Sequence, residues 1–142
     1  PVYHVCRYMN QFFGDKMIWS YSNDTSINSY VTKFSNGDLG MLLINHTSNA
    51  KVVEFDFGAA SLKDNFYWYE VNALSETDKK VFINGQTTTL TEGGPENYAQ
   101  VPAYTREVDG NTKFEIKPYS VTFIANTDNP AVVCVFAVKI KE

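Results

Sequence analysis

The chain has 142 residues, of which 44% are hydrophobic and 20% charged, so it is long enough for one domain with a real core. Its net charge of −4, with Arg7 and Arg106 as the only arginines, excludes the clustered basic surface of a nucleic-acid-binding protein. Its apolar runs are shorter than the roughly 20 residues that a membrane span takes. We therefore expect neither a nucleic-acid nor a membrane partner.

The first thirteen residues follow a helical period. Their apolar side chains recur at i, i+3, i+4 and i+7, the spacing of one helix face, and Gly14 is a suitable C-terminal stop. The members of this face are Val2, Val5, Cys6, Met9, Phe12 and Phe13. The pattern predicts one short amphipathic helix.

From Met17 onward the apolar period changes to two, which is typical of strands. Turn signals every eight to twelve residues are characteristic of a sandwich. We therefore predict an all-β, antiparallel β-sandwich of about ten short strands preceded by the helix. The predicted strands are 18–22, 27–34, 40–45, 51–57, 65–71, 80–83, 87–91, 98–108, 112–117, 120–126 and 131–140.

Three turn signals join predicted strands. Asn36-Gly37, Asn84-Gly85 and Asp109-Gly110 contain glycines that accept the positive φ of tight turns, and the first and third predict hairpins. Pro102 indicates that its strand begins late or lies at a sheet edge. The strand at 131–140 is apolar on both faces over 132–138, so we expect it to be covered on both sides.

Catalytic residues are not evident. Glu54 and Asp56 share a strand face, as in part of the Glu-x-Asp-x-Glu strand of sandwich-fold endoglucanases, but the third acidic position is Gly58. His4 and His46 lie in no nucleophile motif, and no metal-ligand spacing is present. Asp residues in turns could supply oxygens to Ca²⁺, but turn chemistry already accounts for them. We assign no catalytic residue, metal or cofactor.

The run Phe66-Tyr67-Trp68-Tyr69 is the strongest candidate for ligand binding. Phe66 and Trp68 are expected inside, because Phe has no hydroxyl and Trp offers the larger apolar area. Tyr67 and Tyr69, with Tyr104, are then the candidate carbohydrate-stacking residues. The alternative, which we favour, is that both strand faces are covered, one of them by a neighbouring domain.

The two cysteines, Cys6 and Cys134, allow one disulfide, although two idle thiols are favoured.

Two segments resemble the C-terminal β-sandwich modules of (β/α)8 glycoside hydrolases. They are MIWSYSNDTSINSYVTKFSNGDLGMLLINHT (17–47) and FEIKPYSVTFIA (114–125), the latter like the last strand pair of such modules. The phrase RYMNQFFGDKMIWSYS (7–22) looks most like agarase- or porphyranase-type enzymes. Arabinofuranosidases and xylosidases share the architecture. The tail 126–142 departs from the pattern, because another apolar strand follows.

The resemblance implies a division of the chain. Residues 1–16 would be a remnant of the last helix of an upstream catalytic barrel, and residues 17–142 a β-sandwich accessory domain. The catalytic Glu residues of such enzymes lie on barrel strands, so none is carried over to this chain. The implied partner is the barrel of the same polypeptide, and the implied location is secreted, cell-surface or periplasmic.

Three functions follow as alternatives. The leading one is a non-catalytic module that buttresses the barrel of a polysaccharide-degrading enzyme. The second is a carbohydrate-binding module with exposed aromatic residues, and the third is a free-standing adhesin-like domain. If the helix belongs to the barrel, removal of residues 1–13 should leave the sandwich folded.

Overall fold

A computed structural model describes residues 2–58 and 60–129, with the side chain of Val2 excepted. Within these residues, one α-helix precedes nine strands in two antiparallel sheets, which confirms the predicted all-β sandwich. The elements are α1 (Val2–Phe12), β1 (Lys16–Ile18), β2 (Ile27–Lys33), β3 (Leu39–Asn45), β4 (Lys51–Glu54), β5 (Asn65–Asn72), β6 (Phe82–Ile83), a 3-10 turn (Tyr98–Gln100), β7 (Tyr104–Glu107), β8 (Lys113–Ile116) and β9 (Ser120–Thr127).

The larger sheet has the order β1-β2-β3-β9-β5-β6, and β7 also pairs with β5. β5 and β9 lie at its centre and are the longest strands. Their registers bring Tyr69 opposite Phe123 and Trp68 opposite Ile124. Because side chains alternate across a strand, neighbouring residues of β5 enter two different cores.

The smaller sheet, β4 and β8, covers one face of the larger sheet. Phe66 of β5 and Phe114 of β8 are buried there, with ring centroids 5.3 Å apart and planes at 89°. Residues of β2, β3 and β9 complete this core: Ile27, Met41, Leu43 and Ile124. It is a sheet-on-sheet core, as expected of a sandwich.

The helix covers the opposite face of the larger sheet. Tyr8 and Phe12 are fully buried against Leu42, Tyr69 and Phe123, and the rings of Tyr8 and Tyr69 stack at 4.5 Å. Val5, Met9 and Phe13 of the predicted apolar face are only partly buried. The helix therefore closes a core of this chain's own sheet. The division of the chain at residue 16 stays a prediction.

The helix end and the β2–β3 hairpin are joined by polar contacts. Phe13 and Gly14 follow the last helical residue, and the Gly14 N–H donates to Thr32 Oγ1 at 2.8 Å. The same hydroxyl donates to the Gly40 carbonyl at 3.1 Å. The hairpin turn forms where predicted, with Gly37 at φ +93°.

Several predicted strands differ from the structure. β1 ends at Ile18 instead of continuing to residue 22, and β4 ends at Glu54. Residues 87–91 form no strand, because the Thr87 and Thr88 hydroxyls bond to nearby backbone at Val81 and Leu90, which competes with strand pairing. The predicted strand 131–140 lies outside the described residues.

The predicted third hairpin is wrong in one respect. Gly110 adopts φ +91°, so the turn exists, but β7 pairs with β5 while β8 pairs with β4. The chain therefore crosses here from one sheet to the other. β7 begins after Pro102 and pairs with β5 at the edge of the larger sheet, as the proline indicated.

Buried asparagines fasten the loops to the larger sheet. The Asn126 amide donates to the carbonyls of Lys63 and Asn65, and its oxygen accepts from the Lys63 N–H at 2.7 Å. The Asn45 amide donates to the carbonyls of Asn49 and Lys117. Both side chains thus replace water with protein partners, as buried amides must. In the described part of the chain, no helix has the length and apolarity needed to cross a membrane.

Candidate functional site

The aromatic strand is covered on both faces. Phe66 is buried as expected, whereas Trp68 is half-buried. Tyr67 and Tyr69 are buried beneath the helix, contrary to the idea that their rings face solvent. The Tyr69 hydroxyl donates to the Val101 carbonyl at 2.8 Å. Neither ring can receive a sugar in this arrangement. The cover that we expected from a neighbouring domain is supplied here by the chain's own helix.

Tyr104 is the predicted stacking residue that reaches the surface, with 39% of its area exposed. Its ring lies 5.7 Å from that of Trp68, with the two planes tilted by 51°. The Arg106 guanidinium lies 4.1 Å from the centroid of Phe114 and 5.8 Å from that of Trp68. We interpret these contacts as packing at the sheet edge, because the ring planes of Tyr104 and Trp68 are not parallel.

A second aromatic surface lies in the loop between β1 and β2. Trp19 and Tyr21 are 85% and 76% exposed, and their ring planes lie within 16° of parallel at a centroid separation of 6.5 Å. Tyr30 of β2 is also exposed. We call Trp19, Tyr21 and Tyr30 the Trp19 surface.

A shallow depression of about 350 Å³ adjoins the Trp19 surface. Six of the eight described residues that line it are polar, with hydroxyl, amide and carboxylate groups, and the other two are Ile27 and Tyr30. The lining residues are Ser20, Ser22, Asp24, Thr25, Ile27, Asn28, Ser29 and Tyr30.

Asp24 organises this loop. Its Oδ1 accepts from the backbone N–H of Ser26 at 2.9 Å and from the Ser26 hydroxyl, while its backbone N–H and carbonyl bond to the Ser22 hydroxyl. The hydrogen bonds from Ser26, helped by Lys51 with its Nζ 3.6 Å away, lower the pKa of Asp24. The carboxylate is therefore ionised at neutral pH and holds the loop by an Asx turn.

Trp19 and Tyr21 were not among the predicted binding residues, because the pattern of residues 18–22 is typical of a half-buried strand. The alternation of Trp19 and Tyr21 with Ser20 and Ser22 fits that reading. The Asn23-Asp24-Thr25 turn directly after them gave no contrary signal, because a turn between two strands is also what a hairpin requires.

The acidic residues considered for catalysis have local structural roles. Glu54 pairs with Lys113 at 3.6 Å, with both side chains exposed. Asp56 accepts from the Gly58 N–H at 2.9 Å. Across residues 2–58 and 60–129, no group of three or more His, Cys, Asp or Glu side chains is placed to hold a metal ion.

The histidines and the helix cysteine lie apart from these acids. His4 is buried against Tyr3 and Tyr98, and burial lowers its pKa, with the charge of Arg7 acting in the same direction. His46 and Cys6 are exposed. Cys134 lies outside the described residues, so the disulfide stays untested.

No protein-family model and no curated protein matches the chain. Solved structures do share its fold. A family 30 endoxylanase from Clostridium papyrosolvens matches over 87% of this chain and 27% of its own, with TM-score 0.58 and 12% identity. A Paenibacillus polymyxa family 44 xyloglucanase matches over 82% and 20%, with TM-score 0.54 and 16% identity.

An arabinose-bound family 51 α-L-arabinofuranosidase also matches, over 89% of this chain and 19% of its own, with TM-score 0.59 and 16% identity. The chain thus spans about a fifth to a quarter of these proteins. Identities this low show the fold alone. The structural neighbours of this β-sandwich are polysaccharide-degrading glycoside hydrolases of families 30, 44 and 51.

Proposed function

We propose that this chain is a non-catalytic β-sandwich module of a polysaccharide-degrading glycoside hydrolase, and that it buttresses an upstream catalytic barrel of the same polypeptide. The proposal rests on how much of each chain takes part in the structural match. Nearly all of this chain aligns with a minor part of each neighbouring enzyme. On this proposal the chemistry belongs to the remainder of such an enzyme.

The acidic residues of the chain support the non-catalytic part. Glycoside hydrolysis uses two carboxyl groups across the bond, roughly 5–5.5 Å or 6.5–9.5 Å apart according to mechanism. Glu54 is engaged by Lys113 and Asp56 by the Gly58 backbone. Glu70 is buried, with Lys117 Nζ 3.3 Å from its carboxylate, so it faces no substrate.

The substrate and location belong to the same proposal. The resemblance of residues 7–22 to agarase- and porphyranase-type enzymes favours a marine galactan as the substrate of the parent enzyme. An enzyme that degrades such a polymer acts outside the cell, at its surface or in the periplasm, because the polymer is too large to enter.

The test is an assay of the purified chain for release of reducing ends from agarose, xylan and xyloglucan. We expect none, with an intact endoxylanase on xylan as the positive control. Turnover that Glu54→Gln or Asp56→Asn abolishes would contradict the proposal. A barrel with two Glu-bearing strand ends, encoded in the roughly 250–400 residues preceding Pro1, would support it.

A further inference from the structure

We propose that the Trp19 surface is a binding site for an uncharged polysaccharide chain, whose pyranose rings stack on Trp19 and Tyr21. The inference rests on the proposed function, because it takes its ligand class from the polymer that the parent enzyme would degrade. It assigns the sugar contact to the β1–β2 loop and not to the aromatic strand β5.

The first argument is the geometry of the two rings. Most large aromatic side chains of this chain are buried or half-buried, but Trp19 and Tyr21 leave 85% and 76% of their area in water. Their planes are within 16° of parallel. An aromatic face carries partial negative charge and attracts positively polarised hydrogens, and the C–H groups of a pyranose face supply these. Because the two rings are stacked on each other and both are exposed, the outer face of each ring is open to a pyranose unit.

The second argument is the polar lining beside the rings. Small-ligand sites combine apolar walls with a few convergent polar groups that fix orientation. Here the side chains of Ser20, Ser22, Asn28 and Ser29 line the same depression as Tyr30. These groups both donate and accept hydrogen bonds, as sugar hydroxyls do.

The charges around the depression also favour an uncharged ligand. None of the described residues that line the depression is Lys or Arg, and its one acidic group, Asp24, is ionised and paired with Lys51. A sulfated or uronic-acid chain would find no unpaired cation among the described residues of this lining. A neutral chain such as xyloglucan, arabinoxylan or agarose needs none.

The test is affinity electrophoresis of the chain in gels that contain xyloglucan, arabinoxylan, agarose or sulfated κ-carrageenan. We expect retardation by at least one neutral polymer and none by κ-carrageenan. Trp19→Ala and Tyr21→Ala should each weaken binding about two- to tenfold, the range of one aromatic contact, and the double variant should weaken it more. Trp19→Phe should retain part of the affinity.

Matched controls separate stacking from general effects. Leu74→Ala removes an equally exposed apolar side chain elsewhere, and Tyr104→Ala removes the sequence-predicted stacking residue. Both should bind like the wild type. The variants at Trp19, Tyr21 and Leu74 should also melt near the wild-type temperature, because these side chains are largely exposed.

Three results would overturn the proposal. One is the absence of retardation by all three neutral polymers, and another is retardation that Trp19→Ala and Tyr21→Ala leave unchanged. The third is a Trp19→Ala variant whose affinity for polysaccharide is intact but whose other properties change. Loss of dimerisation in sedimentation would make the Trp19 surface a contact with a second copy. Loss of stability only when a catalytic barrel is attached would make it a contact with the barrel. Reducing-end release by the purified chain would contradict the proposed non-catalytic function but would not contradict this binding site.

Discussion

The carbonyl oxygen of Phe12, the last residue of the helix, lies directly over Gly40, near the start of β3 in the larger sheet. A Cβ atom built on Gly40 would be 1.8 Å from that oxygen and 3.0 Å from Thr32 Oγ1. Only a glycine lets the helix end approach the strand this closely. The helix and the sheet are therefore fitted to each other within one chain.

Gly40→Ala tests this fit. The added methyl group would have to displace the backbone of the helix end, so we expect a loss of about 3 kcal/mol in the free energy of unfolding, at the upper end for overpacked cores. Urea denaturation measures it. The control is Gly58→Asn, since Gly58 is in open space at φ +57°, a conformation that Asn tolerates, and this change should cost less than about 1 kcal/mol.

Phe12→Ala tests the contribution of the helix to the core. Phe12 is completely buried among Tyr8, Tyr69 and Phe123, and truncation of such a residue costs about 3–5 kcal/mol. Asn10→Ala, on the exposed side of the same helix, should cost little. Equal unfolding midpoints for the two variants would mean that the helix does not stabilise the sandwich.

Removal of residues 1–13 extends the same test to the whole helix. The sequence led us to expect a folded sandwich after this deletion. The burial of Tyr8 and Phe12 now predicts the opposite, because Leu42 and Phe123 would lose their cover to water. Calorimetry should show a weakened or lost cooperative transition. A transition at the full-length temperature would restore the original expectation.

Tyr69→Phe isolates one buried hydrogen bond. The variant keeps the ring stacked on Tyr8 but removes the donor to the Val101 carbonyl, so we expect a cost of about 1–2 kcal/mol. Tyr21→Phe removes an exposed hydroxyl and should be neutral within about 0.5 kcal/mol. Chemical denaturation of both variants in parallel would show whether position 69 differs from position 21.

His4 predicts a pH dependence of stability. Burial lowers its pKa below the ordinary 6.5, so the unfolded chain binds a proton more readily than the folded one. The free energy of unfolding should therefore fall as the pH drops through 6.5 towards the folded pKa. His4→Gln should flatten this part of the curve, as measured by urea denaturation at a series of pH values.

Local sequence pattern was sufficient to predict most of the strands and the helix. Period-two alternation located β2, β3, β5, β8 and β9 to within about two residues, and glycines with positive φ located the turns at Gly37, Gly85 and Gly110. The helix and its end near Gly14 followed from period and composition in the same way.

Tertiary structure alone decided what covers each face and which sheet each strand joins. Tyr67 and Tyr69 were predicted as candidate surface residues, but the chain's own helix buries them. Trp19 and Tyr21 were predicted to lie in a strand, but β1 ends at Ile18 and both side chains are exposed to water. The physical reason is that alternation shows only that two faces differ. Whether a helix, a sheet or solvent lies over a face depends on contacts between residues far apart in the sequence.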